Sequence, residues 1–181
     1  MLVLASQSAR RREILARAGI PFITRPTNIE EKPLPGEGPV EYVKRLAREK
    51  ACACEMAAGE TVLGADTVVV VDGEILEKPR DAADAARMLR KLSGREHLVI
   101  TGICLRSGDS AVVEAETTRV TFVEMSEQEI AAYAATPEPM DKAGAYAIQG
   151  LASKFIGRIE GCYWNVVGLP IARVYAYLKE R

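Results

Sequence analysis

The sequence predicts an α/β protein with a mixed sheet, and three local patterns carry that reading. The apolar residues 2–5 are followed at once by Ser8, a plausible N-cap, and by a helical pattern that stops at Gly19, so the chain opens with a strand–helix unit. Asp72-Gly73 separates the β-rich residues 62–71 from Glu74-Ile75-Leu76, the two-residue signature of a tight hairpin. Two long β runs, residues 97–105 and 111–123, flank a turn at Ser107-Gly108-Asp109 and are expected to pair antiparallel. Local hairpins beside a strand–helix unit give a mixed rather than a purely parallel sheet.

The remaining elements follow in order. Residues 20–39, punctuated by Pro21, Pro26, Pro33, Pro35 and Pro39 and carrying Glu30-Glu31-Lys32, read as a loop. A helix is predicted over 40–58, bearing Val43, Leu46, Ala47 and Lys50, and another over 81–92, where Ala82, Ala85, Ala86 and Leu89 recur at helical spacing before Ser93-Gly94. Ser126-Glu127-Gln128-Glu129 is a capping box for a short helix to residue 135. Residues 136–150 have neither period, and irregular stretches of that length in a compact domain are commonly functional. Residues 154–159 read as a last strand, and Gly168-Leu169-Pro170 leads into a C-terminal helix that tolerates Pro170 in its first turn.

Length and composition then narrow the function. A chain of 181 residues with 48% apolar and 27% charged residues is an ordinary globular protein, expected to form a single domain over 1–181. The formal net charge of −1, without a basic stripe interleaved with aromatics, argues against a nucleic-acid partner. No apolar run approaches the roughly 18 residues of a membrane span, and no basic segment precedes Leu2, so neither a membrane nor a secretory signal is expected and the protein reads as cytoplasmic. Cys52, Cys54, Cys104 and Cys162 are too few for a disulfide scaffold and lack metal-knuckle spacing; buried reduced thiols are the expectation.

Two features carry chemistry. Arg10, Arg11 and Arg12 crowd a helix N-terminus, where the dipole disfavours cations by about 0.3–1 kcal/mol each. Helical spacing puts Arg10 and Arg11 on the core-facing side, where they either pair with acidic residues elsewhere or hold a phosphate that Ala5, Ser6 and Ser8 would let approach the backbone. Asp66 interrupts a hydrophobic strand within Gly64-Ala65-Asp66-Thr67, and a carboxylate there is costly unless paired or bound to metal. It is a salt-bridge or capping residue on one reading, and a metal ligand or general base on the other, with Glu30 or Glu31 as a second carboxylate. Oxygen ligands suit Mg²⁺ or Mn²⁺ rather than zinc. His97, the sole histidine, precedes a strand and reads as structural, which removes the Ser-His-Asp and Cys-His hydrolases.

Several blocks together resemble the Maf family: residues 4–11 (LASQSARR), 64–67 (GADT), 77–79 (EKP), 92–94 (LSG) with His97, Thr101-Gly102, 141–150 (DKAGAYAIQG) and 167–170 (VGLP), in family order along nearly the whole chain. The resemblance implies a nucleoside triphosphate pyrophosphatase that cleaves between the α and β phosphates. It also implies a strongly twisted sheet with helices in two lobes around a deep cleft, related to the inosine triphosphatase fold, and a homodimer. At matching positions it implies Asp66 as proton acceptor, Arg10, Thr67 and Gln149 as specificity positions, and Glu31, Lys50 and Lys78 as further site residues. The expected set is therefore Asp66, Glu31 and Lys78 for catalysis, Asp66 and Glu31 for a divalent cation (Mg²⁺, Mn²⁺ or Co²⁺), and Ser6, Ser8, Arg10, Arg11, Lys50, Thr67, Lys142 and Gln149 for substrate. Gln149 stands where family members resembling 7-methyl-GTP pyrophosphatases carry glutamate; an amide matches the acceptor–donor edge of uracil and thymine, which points to dTTP and UTP. Another modified nucleotide, or a nucleotide-sensing role in cell division, is the alternative. Ala147 stands where glycine is common, so restricted backbone angles are expected there.

Overall fold

A computed structural model describes residues 1–180. The chain runs β1 (Leu2–Leu4), α1 (Ala9–Arg17), β2 (Phe22–Thr24), α2 (Pro39–Ala53), β3 (Thr61–Val71), β4 (Glu74–Leu76), α3 (Ala82–Leu92), β5 (Glu96–Ser107), β6 (Ser110–Phe122), α4 (Glu127–Ala134), β7 (Ile156–Glu160), α5 (Tyr163–Val167) and α6 (Ile171–Lys179). Short 3₁₀ turns lie at Glu138–Asp141, Ala143–Ala145 and Leu151–Phe155. The strands are ordered β2-β1-β3-β5-β6-β7, with β4 beside β3. β1 pairs parallel with β2 and β3, whereas β3–β4 and β6–β7 are antiparallel, so the sheet is mixed as the sequence predicts.

Local chemistry accounts for most boundaries. Ser8 caps α1 by accepting from the Arg11 amide, and Gly19, just past the helix, takes φ +67°. Asp72 and Gly73 both have positive φ, as a two-residue hairpin turn of this hand requires. Asp81 and Ser126 cap α3 and α4, the latter in a complete capping box. Three expectations fail. Residues 20–39 contain β2, a three-residue strand at the edge of the sheet, too short for alternation to mark it. α2 ends at Ala53 rather than 58, because residues 55–60 fold into a turn: Arg25 bonds the Glu55 carbonyl and pairs with Glu60 at 2.9 Å, and Glu60 accepts from the Ala57 amide at 2.8 Å. Pro170 is the N-cap of α6 rather than a residue of its first turn, and α5 precedes it.

The chain forms two compact units. The first contains Met1–Thr67, Thr101–Glu116 and the chain from Gly168 onward; its core gathers Val3, Ala5, Ala47, Ala51, Val62 and Cys104. The second contains Val68–Ile100 and Thr117–Val167, with a core that includes Leu76, Leu89, Phe122 and Phe155. Two glycines set the first unit's geometry. A methyl group at Gly64 would overlap the Ala47 carbonyl, and one at Gly102 would overlap the Val43 carbonyl, so the backbone of α2 lies directly against β3 and β5. Lys50 on α2 is thereby brought to the face of β3 that carries Asp66. The four cysteines are free; Cys54 and Cys104 are buried as expected, whereas Cys52, facing outward from α2, is exposed and Cys162 is half-buried.

Candidate active site

Asp66 and Lys50 form the centre of the first unit's polar cluster. Lys50 Nζ lies 2.7 Å from Asp66 Oδ1 and 2.6 Å from Glu31 Oε1. Lys50 and Asp66 are each 8% exposed, while Glu31 is exposed, so a buried ion pair is joined by one carboxylate from the solvent side. Two carboxylates meet one ammonium here, and the Arg11 guanidinium also interacts with both, so two cations balance two carboxylates and offset the cost of desolvating them. Gly64 and Asp66 share a face of β3 because side chains alternate with period two. The close approach that Gly64 permits therefore delivers Lys50 to Asp66 rather than to a neighbour.

Arg11 organises the opposite face of the strand. Its Nε donates to the Gly168 carbonyl (2.9 Å), Nη1 to the Ala65 carbonyl (2.9 Å) and Ser6 Oγ (3.3 Å), and Nη2 to Thr67 Oγ1 (3.0 Å). Burial holds this guanidinium below its ordinary pKa, Asp66 and Glu31 pull it back up, and the neighbouring Arg10 charge opposes it. Thr67 Oγ1 also meets Thr101 Oγ1 at 2.9 Å. Arg11 thus bonds backbone carbonyls and hydroxyls, joining Ser6, the Ala65–Thr67 stretch of β3 and Gly168. Ser6 and Ser8 serve the same turn, since Ser6 Oγ also accepts from the Ser8 amide and Ser8 Oγ from that of Arg11. Arg10 is half-buried on the first turn of α1, and Arg12 faces outward with a bond to the Gln7 carbonyl.

Lys78, Lys142 and Gln149 belong to the second unit. Lys78 is exposed just after β4. The neighbouring Glu77 carbonyl accepts from the Gly144 amide at 3.1 Å, which ties the 141–150 loop to the end of the hairpin. Lys142 Nζ bonds the Glu138 carbonyl at 3.0 Å and Asp141 at 2.5 Å. Gln149 is exposed beside a buried Ile148. Backbone restriction falls not at Ala147 but at Gly144 and Ala145, whose φ values are +69° and +60°; the left-handed region costs a non-glycine residue roughly 1–2 kcal/mol. His97 is structural, as expected: Nε2 lies 2.8 Å from the Tyr146 hydroxyl, the ring packs edge-on against Phe122 and Tyr146, and burial pulls its pKa down to about 4.

A divalent cation of the magnesium type takes one or two carboxylates plus water and substrate phosphate. Asp66 and Glu31, whose oxygens converge on one ammonium, are a donor pair of that kind. Among the described residues no group of three or more His, Cys, Asp or Glu side chains forms a metal cage. Sequence reading gave no role to Thr101 or to the Gly168 carbonyl. Thr101 has the signal that exposed Asp66, a polar residue in an apolar strand, whereas a backbone carbonyl has none.

Comparison with known proteins bears on what this arrangement does. The chain matches the family described as Maf-like protein over residues 1–181. It is 54% identical over 180 residues to a dTTP/UTP pyrophosphatase of Koribacter versatilis (strain Ellin345), covering 99% of this chain and 93% of the relative. It is 51% identical over 182 residues to a dTTP/UTP pyrophosphatase of Geobacter sulfurreducens, covering 99% and 95%. Among solved structures, the Ham1 protein of Staphylococcus aureus superposes with a TM-score of 0.57 at 18% identity, and a HAM1 protein of Coxiella burnetii with 0.54 at 18%, each match covering 99% of this chain and 98% of the other. These likenesses bear on the fold alone, and it is the α/β fold that the sequence predicts. No helix among the described residues is long and apolar enough to cross a membrane.

Proposed function

Given that the chain belongs to the Maf family, we propose that it hydrolyses dTTP and UTP to the nucleoside monophosphate and pyrophosphate. The observation that supports this reading within the molecule is the buried Lys50–Asp66 pair with Glu31 beside it, which brings together three of the residues the family resemblance assigns to the site. The reading treats residues 1–181 as one functional domain of a cytoplasmic homodimer. It gives Asp66, Glu31 and Lys78 the catalytic roles, and Ser6, Ser8, Arg10, Arg11, Lys50, Thr67, Lys142 and Gln149 the binding of the substrate.

Water attacks the α phosphorus, its oxygen bonding there as the bond to the β-phosphate bridge breaks and pyrophosphate leaves with the electron pair. Asp66 accepts the proton of that water. Lys50, held on Oδ1, fixes the carboxylate's orientation and leaves its second oxygen to act as acceptor. Proton transfer to a positioned side chain is worth about 10²–10⁴-fold. Arg10 and Lys78 supply the positive charge that offsets charge on the departing pyrophosphate. Asp66 and Glu31 would hold a divalent cation, which supplies Lewis-acid stabilisation of phosphate charge. No covalent nucleophile is required.

The test is a panel of dTTP, UTP, CTP, GTP, ITP and 7-methyl-GTP with pyrophosphate detection, run with Mg²⁺, Mn²⁺ and Co²⁺. Preference for dTTP and UTP with dependence on added metal is expected. Preference for 7-methyl-GTP, or nucleotide binding without product, overturns the reading.

A further inference from the structure

We propose that Tyr133 and Glu138 are positioning residues that fix the orientation of Gln149 and thereby set the choice of base, an inference that rests on the reading of Gln149 as the base-contacting amide. Gln149 lies in a four-residue turn closed by the Gly150 amide donating to the Ala147 carbonyl at 3.1 Å. The turn's two central side chains part, with Ile148 buried and Gln149 exposed. Both feet of this turn are pinned to the same pair of side chains. The Ala147 amide donates to the Tyr133 hydroxyl at 3.3 Å, and that hydroxyl donates to Glu138 Oε1 at 2.7 Å. Past the turn, the Leu151 and Ala152 amides donate to the Glu138 carboxylate at 2.9 and 3.3 Å.

The fit is tight as well as polar. A methyl group on Gly150 would overlap the Glu138 carboxylate, so the turn rests against the group that anchors it. Tyr133 belongs to α4, a helix with a complete capping box, which transmits the rigidity of regular structure to an irregular loop. Burial and the adjacent Glu138 charge raise the pKa of the Tyr133 phenol, so it remains a proton donor across the working pH range. An amide reads a base edge through donor and acceptor directions, and that discrimination fails if the turn can rotate.

The experiment is a cycle of Tyr133→Phe, Gln149→Ala and the double variant, with Glu138→Gln as a milder companion, each assayed for kcat and KM on UTP, dTTP, CTP and GTP. Thermal melts select variants that remain folded. Tyr133→Phe is expected to raise KM for UTP about fivefold, the worth of one hydrogen bond, with kcat within about twofold. The preference for UTP over CTP and GTP narrows with it, and in the Gln149→Ala background the same substitution narrows it no further. An equal fall on all four nucleotides, or an undiminished effect in the Gln149→Ala background, overturns the inference. If Tyr133→Phe does not fold, the same outcomes are read from Glu138→Gln. Loss of selectivity in Gln149→Ala beside intact selectivity in both Tyr133→Phe and Glu138→Gln overturns this inference alone, whereas unchanged selectivity in Gln149→Ala overturns the reading of Gln149 as well.

Discussion

The Asp66 cluster and the loop that carries Gln149 are held by different physics. Around Asp66 the groups are buried ions on regular elements, Lys50 from α2 and Asp66 from β3, pressed together because Gly64 lets helix and strand backbones touch. Around Gln149 the backbone is irregular, its amides end on a phenol and a carboxylate, and Gln149 itself faces solvent. A proton acceptor must be placed to within a fraction of an ångström, which regular structure provides, while a base contact gains from a loop whose side chain can be changed without disturbing the core. The division predicts that substitutions in the first region cost rate or folding stability outright, and substitutions in the second shift preference.

Asp66→Asn should break the first region most completely. It keeps the shape and a hydrogen-bond acceptor for Lys50 but removes the proton acceptor, so turnover should fall by about 10³-fold while UTP affinity, measured by calorimetry, changes only a few-fold. Near wild-type turnover would remove Asp66 from the chemistry. Lys50→Met should act on folding as well as on rate. It leaves a buried Asp66 carboxylate without its partner at a cost of about 3–5 kcal/mol, read as a lower midpoint in urea, whereas Glu31→Gln at the exposed side should cost less than about 1 kcal/mol.

How much of each region the sequence disclosed follows the same division. Asp66 stands out because a carboxylate in an apolar strand needs an explanation, and Ser8, Asp72-Gly73 and the box at Ser126 name their own turns. Lys50 as the partner of Asp66 is not legible in the helix that carries it, because the pairing depends on which face of β3 that helix meets, a tertiary fact signalled only by Gly64. The partners of Arg11 are illegible for a related reason. Three adjacent arginines suggest an anion, and nothing in the sequence points to the carbonyls of Ala65 and Gly168, since any residue supplies a carbonyl. In the loop, the aperiodicity of residues 136–150 is legible, yet nothing in their pattern predicts that Tyr133 and Glu138 would converge on it.

The second unit also holds a buried titratable ring, and pH should expose it. His97 is 2% exposed with its pKa lowered to about 4 from 6.5, so the folded protein binds fewer protons than the unfolded chain between those values. His97 therefore contributes stability that is fully present above about pH 6.5 and is lost as pH falls towards 4. At about 1.4 kcal/mol per pKa unit the loss approaches 3 kcal/mol. The carboxyls of Glu60 and Asp84, held down to about 2 by their arginine partners, add to it only at lower pH. Urea melts between pH 7.5 and 5 should slope in the wild type and flatten in His97→Phe; parallel curves would place the titration elsewhere.

Gln149→Glu should give the smallest effect and the sharpest contrast between the two regions. The substitution keeps the length of the side chain and its exposure but replaces a donor–acceptor pair by acceptors only. If Gln149 meets the base, UTP and dTTP lose one hydrogen bond and face an unpaired acceptor, so their kcat/KM should fall about tenfold while a guanine nucleotide, with its donor edge, gains. Folding stability should stay within about 0.5 kcal/mol, as for other exposed positions. The variant thus separates choice of base from the machinery around Asp66: selectivity changes while the pH profile and metal dependence of the residual UTP activity do not. An unchanged nucleotide profile would remove Gln149 from base recognition, and a shift in the pH profile would mean that the loop and the Asp66 cluster are coupled through the reaction itself.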